Sequence, residues 1–192
     1  MLSPQLKDYG FGIIIVFVFI IYRLIFALRG GSFIAKSLFF AKQYLDPELL
    51  QHDLLASLFY QHSQPPLFSF FLGAILKLSP NPALSYELFF KIIGVLIPLI
   101  FFSILISFGI KRLIAFIATI VFMLNPTLIL YENLLYYTYC EAFIILLAIF
   151  FLLRWGKGEK FWDLFLFWMS LLCLGMIRSL FHPVFFLMVF SY

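Results

Sequence analysis

The chain has 192 residues, 65% of them apolar, 11% charged and 28 of them phenylalanine; a soluble domain of that size would have too few polar side chains to cover its surface. That composition excludes an ordinary water-soluble fold, and the net charge of +4, divided among short loops, leaves no footprint for a nucleic-acid partner. Cys140 and Cys173 lie in apolar runs with no CxxC or Cys/His grouping, which makes them packing residues and not a disulfide or a metal site.

The charges are gathered between apolar runs long enough to cross a hydrocarbon core of about 30 Å. The runs are continuous where a membrane barrel with a wet lumen would alternate. The expectation is therefore an all-α fold: a polytopic transmembrane helix bundle, one membrane domain over 1–192, with interfacial helices in a long first outer loop.

In chain order, the first span is 10–28, with Arg23 snorkelling toward the interface; its long apolar part and the lack of a small-residue cleavage site fit an anchor, not a cleaved signal. The outer loop, 29–84, is too long for a plain connection. It contains "FIAKSLFFAKQYL", with Lys36 and Lys42 among apolar residues, and "DPELLQHDLLASLFYQ", with leucines at helical spacing and Pro47 at an early helix position. Both read as helices lying on the membrane surface. The turn "HSQPPLF" follows, and then Leu67 to Leu78, interfacial or re-entrant because it is short and carries Lys77. Further spans are expected at 85–109, 113–130, 136–153 and 161–177, and a truncated sixth run covers 183–192.

Lys111 and Arg112 join the second span to the third, and Arg154, Lys157 and Lys160 lie between the fourth and fifth. The positive-inside rule makes both loops cytoplasmic. The N-terminus is then cytoplasmic as well, and the outer face receives 29–85, 131–136 and 178–183. Nearly every polar residue able to do chemistry falls there: Asp46, Glu48, His52, Asp53, His62 and Gln64; Glu132 and Asn133 with nearby Glu141; Arg178 and His182. Carboxylates at such an interface suit general-base work near neutral pH, and an arginine beside them suits paired, charge-assisted contact with phosphate.

The other readings of these residues are structural. Asp46 before Pro47 is placed to cap a helix. His52 and His62 lack metal-ligand spacing, so no metal is expected. Glu132 and Asn133 stand where the third span ends, and Arg178 either snorkels or pairs with Glu141. Glu87 and Lys91, four apart near a helix start, read as a structural ion pair. Tyr131, Tyr136, Tyr137 and Tyr139 read as an interface belt.

The order of these features resembles the GT-C superfamily of polytopic glycosyltransferases. The branch is that of the protein O-mannosyltransferases, the aminoarabinose transferases of lipid A and the related lipopolysaccharide sugar transferases. The resemblance rests on "DPE" at Asp46 to Glu48, "HSQPPLF" at His62 to Phe68, "NPTLILYEN" at Asn125 to Asn133 and "RSLFHP" at Arg178 to Pro183. Pro47 separates the two acids, and Ser63 and Gln64 separate the histidine from the prolines, where the family writes them together. Asp53 therefore stays a rival for the catalytic position.

The resemblance implies inverting transfer of a sugar from a polyprenyl-phosphate carrier to an acceptor hydroxyl at the outer face. Asp46, or Asp53 in its place, would take the acceptor proton. Arg178, or Lys36 and Lys42, would neutralise the departing lipid phosphate. Glu48, His62, Gln64, Glu132, Asn133, His182 and Lys42 would contact substrate. The donor is then a lipid-phosphate-linked sugar, no separate cofactor is implied, and the acceptor is a glycan, lipid or protein. The expected location is a bacterial inner (cell) membrane with the active face outside. The resembling enzymes are longer, so an N-terminal portion of such a protein is implied. A transporter or lipid flippase, or a non-catalytic assembly subunit of a membrane complex, are the alternatives.

Overall fold

The computed structural model describes residues 4–36, 38, 45–61 and 64–178. Among them the chain is all-helical, with no strand beyond one isolated bridge between Ile34 and Leu134. The elements are α1 (Pro4–Leu28), α2 (Pro47–His52), α3 (Leu54–Phe59), α4 (Pro66–Leu78), α5 (Pro82–Ser107), α6 (Arg112–Met123), α7 (Pro126–Glu132), α8 (Tyr137–Gly158) and α9 (Phe161–Ile177).

Local sequence sets most of the helix starts. Helices α2, α4, α5 and α7 each begin with proline, whose fixed φ suits the first helical position and whose missing N–H would have no partner there. Asp46, Asn81 and Asn125 stand just before three of these prolines and accept from the backbone N–H of Glu48, Leu84 and Thr127. The turn after α5 uses Gly109 at φ +80°, a conformation that a side chain disfavours.

Three helices, α1 from Gly10, α5 and α8, are long and apolar enough to cross a membrane. Their surroundings support the same reading. On α1, Ile13 is 69% exposed, and on α6, Val121 is 67% exposed, while Trp162 and Trp168 of α9 are also exposed. So much open apolar surface needs a non-aqueous solvent. The expected third span, 113–130, is two helices, α6 and α7, bent by 58° at the break between them. Pro126 causes the break: it lacks an N–H and disfavours helical geometry at Asn125, whose ψ of 124° is extended. Helix α9 matches its expected range but is a shorter apolar helix, as is α4. At 1.5 Å per residue α4 is only about 20 Å long.

Helices α8 and α9 form an antiparallel hairpin. Arg154 near the end of α8 pairs with Asp163 at the start of α9, and Arg178 after α9 pairs with Glu141 near the start of α8. At the other side, Phe11 and Phe19 of α1 pack with Phe102, Ala115 and Met123. The larger core cluster lies toward the opposite end. It joins Leu50 of α2 and Leu54 of α3 to Leu72 of α4, Phe90 of α5, Leu135, and Tyr139 of α8. Gly73 admits Leu54 so closely that a Cβ there would collide with its side chain. The segment between α1 and α4 is thereby fastened onto the helix ends. Of the two segments expected to be helical there, the second forms two short helices, α2 and α3, and most of "FIAKSLFFAKQYL" lies outside the described residues, as does 183–192.

Candidate functional site

The described residues include a buried charge cluster where α1, α5, α7 and α8 meet. Glu132, the last residue of α7, has no solvent exposure, and its carboxylate accepts from three elements. Arg23 of α1 donates from Nε to Oε2 at 2.7 Å and also from Nη2. Lys91 of α5 donates from Nζ to Oε1 at 2.9 Å, and Tyr139 of α8 donates from its hydroxyl at 3.5 Å. Lys91 also donates to Oδ1 of Asn133 at 2.7 Å, while the amide of Asn133 donates to the carbonyl of Ile129 at 2.8 Å.

Aromatic rings pack closely around the cluster. The Arg23 guanidinium lies over the ring of Phe19, 4.5 Å from its centroid, and Tyr139 stacks on Phe90 at 5.8 Å. Gly94, nearly one turn beyond Lys91, allows α5 to approach: a Cβ there would stand 2.9 Å from Phe19 and 3.1 Å from the Glu132 carboxylate. Two cations face one carboxylate, so the cluster carries a net positive charge. Nη1 of Arg23 is buried without a hydrogen-bond partner among the described residues.

Next to the cluster, α1 and α7 enclose an open groove of about 550 Å³, lined by Tyr22, Phe26, Ile34, Thr127, Leu130 and Asn133 among others. Asn133 belongs to both features. The backbone closes the far wall: Ile34 donates to the Asn133 carbonyl at 2.7 Å and accepts from Leu135 at 3.2 Å.

A second, smaller pair lies at the same end. Nη1 of Arg178 is 3.6 Å from Oε2 of Glu141, and the guanidinium is also 5.8 Å from the centroid of Tyr137. The Glu141 side chain is buried, and its Oε1 has no hydrogen-bond partner among the described residues.

The sequence-predicted residues therefore fall into three groups. Glu132 and Asn133 are brought together in the buried cluster, and Arg178 takes the expected pairing with Glu141. Asp46, Glu48 and Asp53 are exposed on and beside α2, with Gln64 half-buried before α4. Asp46 acts as the cap of α2, with Oδ1 accepting from Glu48 N–H at 2.9 Å. Lys42, His62 and His182 lie outside the described residues.

Two expectations are corrected. Lys91, expected to pair with Glu87, binds Glu132 and Asn133. Arg23, expected to snorkel, is 8% exposed and bound to Glu132. Neither cation was among the expected site residues. The signal was available, since each is an ionisable side chain inside an otherwise apolar run, a position expensive enough to imply a specific partner. Among the described residues no group of His, Cys, Asp and Glu is arranged to hold a metal.

No family model, no curated protein and no solved structure matches this chain.

Proposed function

We propose that the chain is a polytopic membrane glycosyltransferase of the GT-C type. It moves a sugar from a polyprenyl-phosphate carrier to an acceptor hydroxyl at the outer face, with inversion. The observation that carries this reading is the fastening of the acidic first-loop segment to the turn between α7 and α8. Leu50 and Leu54 share a core with Leu135 and Tyr139, and Ile34 bridges to Leu134. The loop that bears Asp46 and Asp53 thus belongs to the same end of the bundle as the two arginine–glutamate pairs.

In this reading Asp46 is the general base. One of its oxygens caps α2 and fixes the carboxylate, and the other is left to take the acceptor proton as the hydroxyl attacks the anomeric carbon. The carbon–oxygen bond to the lipid phosphate breaks on the opposite face, which inverts the centre, by analogy with inverting hydrolysis. Proton transfer of this kind supplies about 10²–10⁴-fold in rate. Cationic side chains receive the departing phosphate as fixed electrostatic partners.

The test is sugar transfer in membranes from cells expressing the full-length gene, with radiolabelled polyprenyl-phosphate sugars, comparing wild type with Asp46→Asn and Asp53→Asn at matched expression. Loss of transfer in Asp46→Asn alone is the expected result. Absence of wild-type transfer with every donor would overturn the reading.

One observation favours a second reading. A helix broken at Asn125 and Pro126 beside a buried arginine and a part-buried lysine is also how transporters build a substrate path. Solute or lipid movement in proteoliposomes, without any transfer product, is the result that would put this reading first.

A further inference from the structure

From the open face of α9, we infer that the chain pairs with a second copy of itself in the membrane, α9 against α9. One side of the helix is buried, with Asp163, Phe167, Ser170, Leu174 and Ile177 toward the bundle. On the other side Phe161, Phe165, Trp168, Met169, Leu172 and Met176 are exposed, at the spacing of a single helix face. The stripe carries no charge, and the nearest acid, Asp163, is buried against Arg154, so nothing within it opposes a second copy.

Apolar exposure alone does not choose a protein partner, because lipid tails cover such side chains equally well. On α1, for example, Ile13, Phe17, Ile20 and Leu24 are exposed, and none has a polar side-chain atom. Trp168 is different. It is 54% exposed, and its indole N–H has no acceptor among the described residues. It stands in the middle of Phe161–Ile177, whereas tryptophan in a spanning helix usually sits at the interface. An indole N–H facing hydrocarbon without an acceptor is costly. Helix α9 is also short: its 17 residues reach about 25 Å, less than a core of about 30 Å, a mismatch that association relieves.

Geometry selects a second copy over an unrelated partner. Copies inserted with one topology run their α9 helices parallel, related by a two-fold axis along the membrane normal. One flank of the stripe then meets the opposite flank of its twin. Trp168 and Met169 are those two flanks, about 100° apart around the helix, with Phe165 and Leu172 between them. Each Trp168 therefore meets the other copy's Met169 at nearly the same depth, where the thioether offers the ring a sulfur contact and the N–H an acceptor. The area is sufficient. At about 150–250 Å² per aromatic side chain, the exposed parts of Phe161, Trp162, Phe165 and Trp168 amount to roughly 500 Å². Met169, Leu172 and Met176 bring the face near the about 800 Å² per partner of a standard interface.

Pairing of this kind needs no sugar transfer, so it stands or falls apart from the function proposed above. The test is energy transfer between donor- and acceptor-labelled copies of the purified full chain in phosphatidylcholine vesicles over a range of protein-to-lipid ratios. Transfer is expected to saturate as for a monomer–dimer equilibrium. Trp168→Phe keeps a ring and loses the N–H, and should weaken pairing by about 3- to 10-fold. Met169→Leu keeps the volume and loses the acceptor, and should weaken it similarly, whereas Ile13→Val on α1 should leave it unchanged. Oxidative cross-linking in membranes locates the surface. In a chain whose Cys140 and Cys173 are serine, Leu172→Cys should give a product of twice the chain's mass and Ile13→Cys none. Energy transfer no greater than for randomly placed chains would overturn the inference, because lipid alone would then cover α9. Full-strength pairing in both Trp168→Phe and Met169→Leu, or a Leu172→Cys product that is absent or of another mass, would overturn it as well.

Discussion

Arg23 and Glu132, 109 positions apart in the sequence, meet through two donors of one guanidinium and the two oxygens of one carboxylate, with neither side chain more than 8% exposed. The pair joins the end of α1 to the end of α7, and Lys91 adds α5 to the same carboxylate. Such a contact is worth little when both partners are compared with well-packed apolar residues, but breaking one side leaves the other charge buried and alone. Glu132→Ala would strand both cations. It is expected to cost about 3–5 kcal/mol, seen as a lower unfolding temperature in detergent. Lys91→Met should cost clearly less, because Lys91 is 28% exposed and Arg23 would then balance Glu132 alone. A larger loss for Lys91→Met than for Glu132→Ala would show that the cluster is not organised around the carboxylate.

Gly94 gives the packing counterpart of that prediction. The missing side chain lets Phe19 and the Glu132 carboxylate occupy the surface of α5, so a methyl group must displace either an aromatic ring or a hydrogen-bonded charge. Gly94→Ala is expected to destabilise by about 1–3 kcal/mol, in the range of core overpacking. Gly156→Ala is the control: the position is exposed on α8 with nothing within 4 Å of an added Cβ. There the intrinsic gain of alanine over glycine in a helix, about 0.8–1 kcal/mol, should appear as stabilisation. Thermal unfolding of both variants in the same detergent separates the two effects.

The readings that succeeded were those written in neighbouring residues. Asp46 before Pro47 marked a helix start, and Asp46 is the cap of α2. Arg178 and Glu141 were candidates to pair, and they do. The apolar runs at 10–28 and 136–153 marked helices long enough to cross a membrane, and α1 and α8 are such helices. What failed depended on contacts across the fold. Four-residue spacing brings Glu87 near Lys91, but an exposed helical pair of that kind is worth only about 0.3–0.5 kcal/mol. A carboxylate buried beneath Gly94 makes a stronger demand on the same ammonium, and nothing local announces where Glu132 will be buried. The break in 113–130 was written locally, in Asn125 and Pro126, yet the apolar content on both sides concealed it. Hydropathy measures the solvent that a segment prefers and is blind to a missing N–H.

Asp46 has two separable roles, and one substitution divides them. Asparagine caps a helix about as well as aspartate, whereas alanine costs about 1 kcal/mol. Asp46→Asn should therefore unfold with wild-type stability, and Asp46→Ala should be destabilised by about that amount. If Asp46 is also the general base, both variants lose transfer by about 10²–10⁴-fold. A pure cap would show activity following stability, with Asp46→Asn fully active. Measuring unfolding and transfer on the same membrane preparations decides between them.

Topology makes the last prediction, and α4 is the element on which it turns. With Lys111, Arg112, Lys157 and Lys160 cytoplasmic, Leu55 on α3 and Pro80 between α4 and α5 both belong outside, provided that α4 enters and leaves by the same face. Its length favours that arrangement, since about 20 Å does not reach across a core of about 30 Å. Leu55 is 75% exposed and Pro80 and Lys160 are exposed, so each can be replaced by cysteine in a chain whose Cys140 and Cys173 are serine. In intact cells an impermeant thiol reagent should label Leu55→Cys and Pro80→Cys, and should reach Lys160→Cys only after permeabilisation. Labelling of Leu55→Cys from outside with Pro80→Cys protected would make α4 a span. The start of α5 would then face the cytoplasm, on the opposite side from Asp46. Lys91, the tenth residue of α5, is bound to Asn133, whose carbonyl accepts from Ile34 of the first loop, and that contact fits the arrangement in which α4 returns to the face it entered.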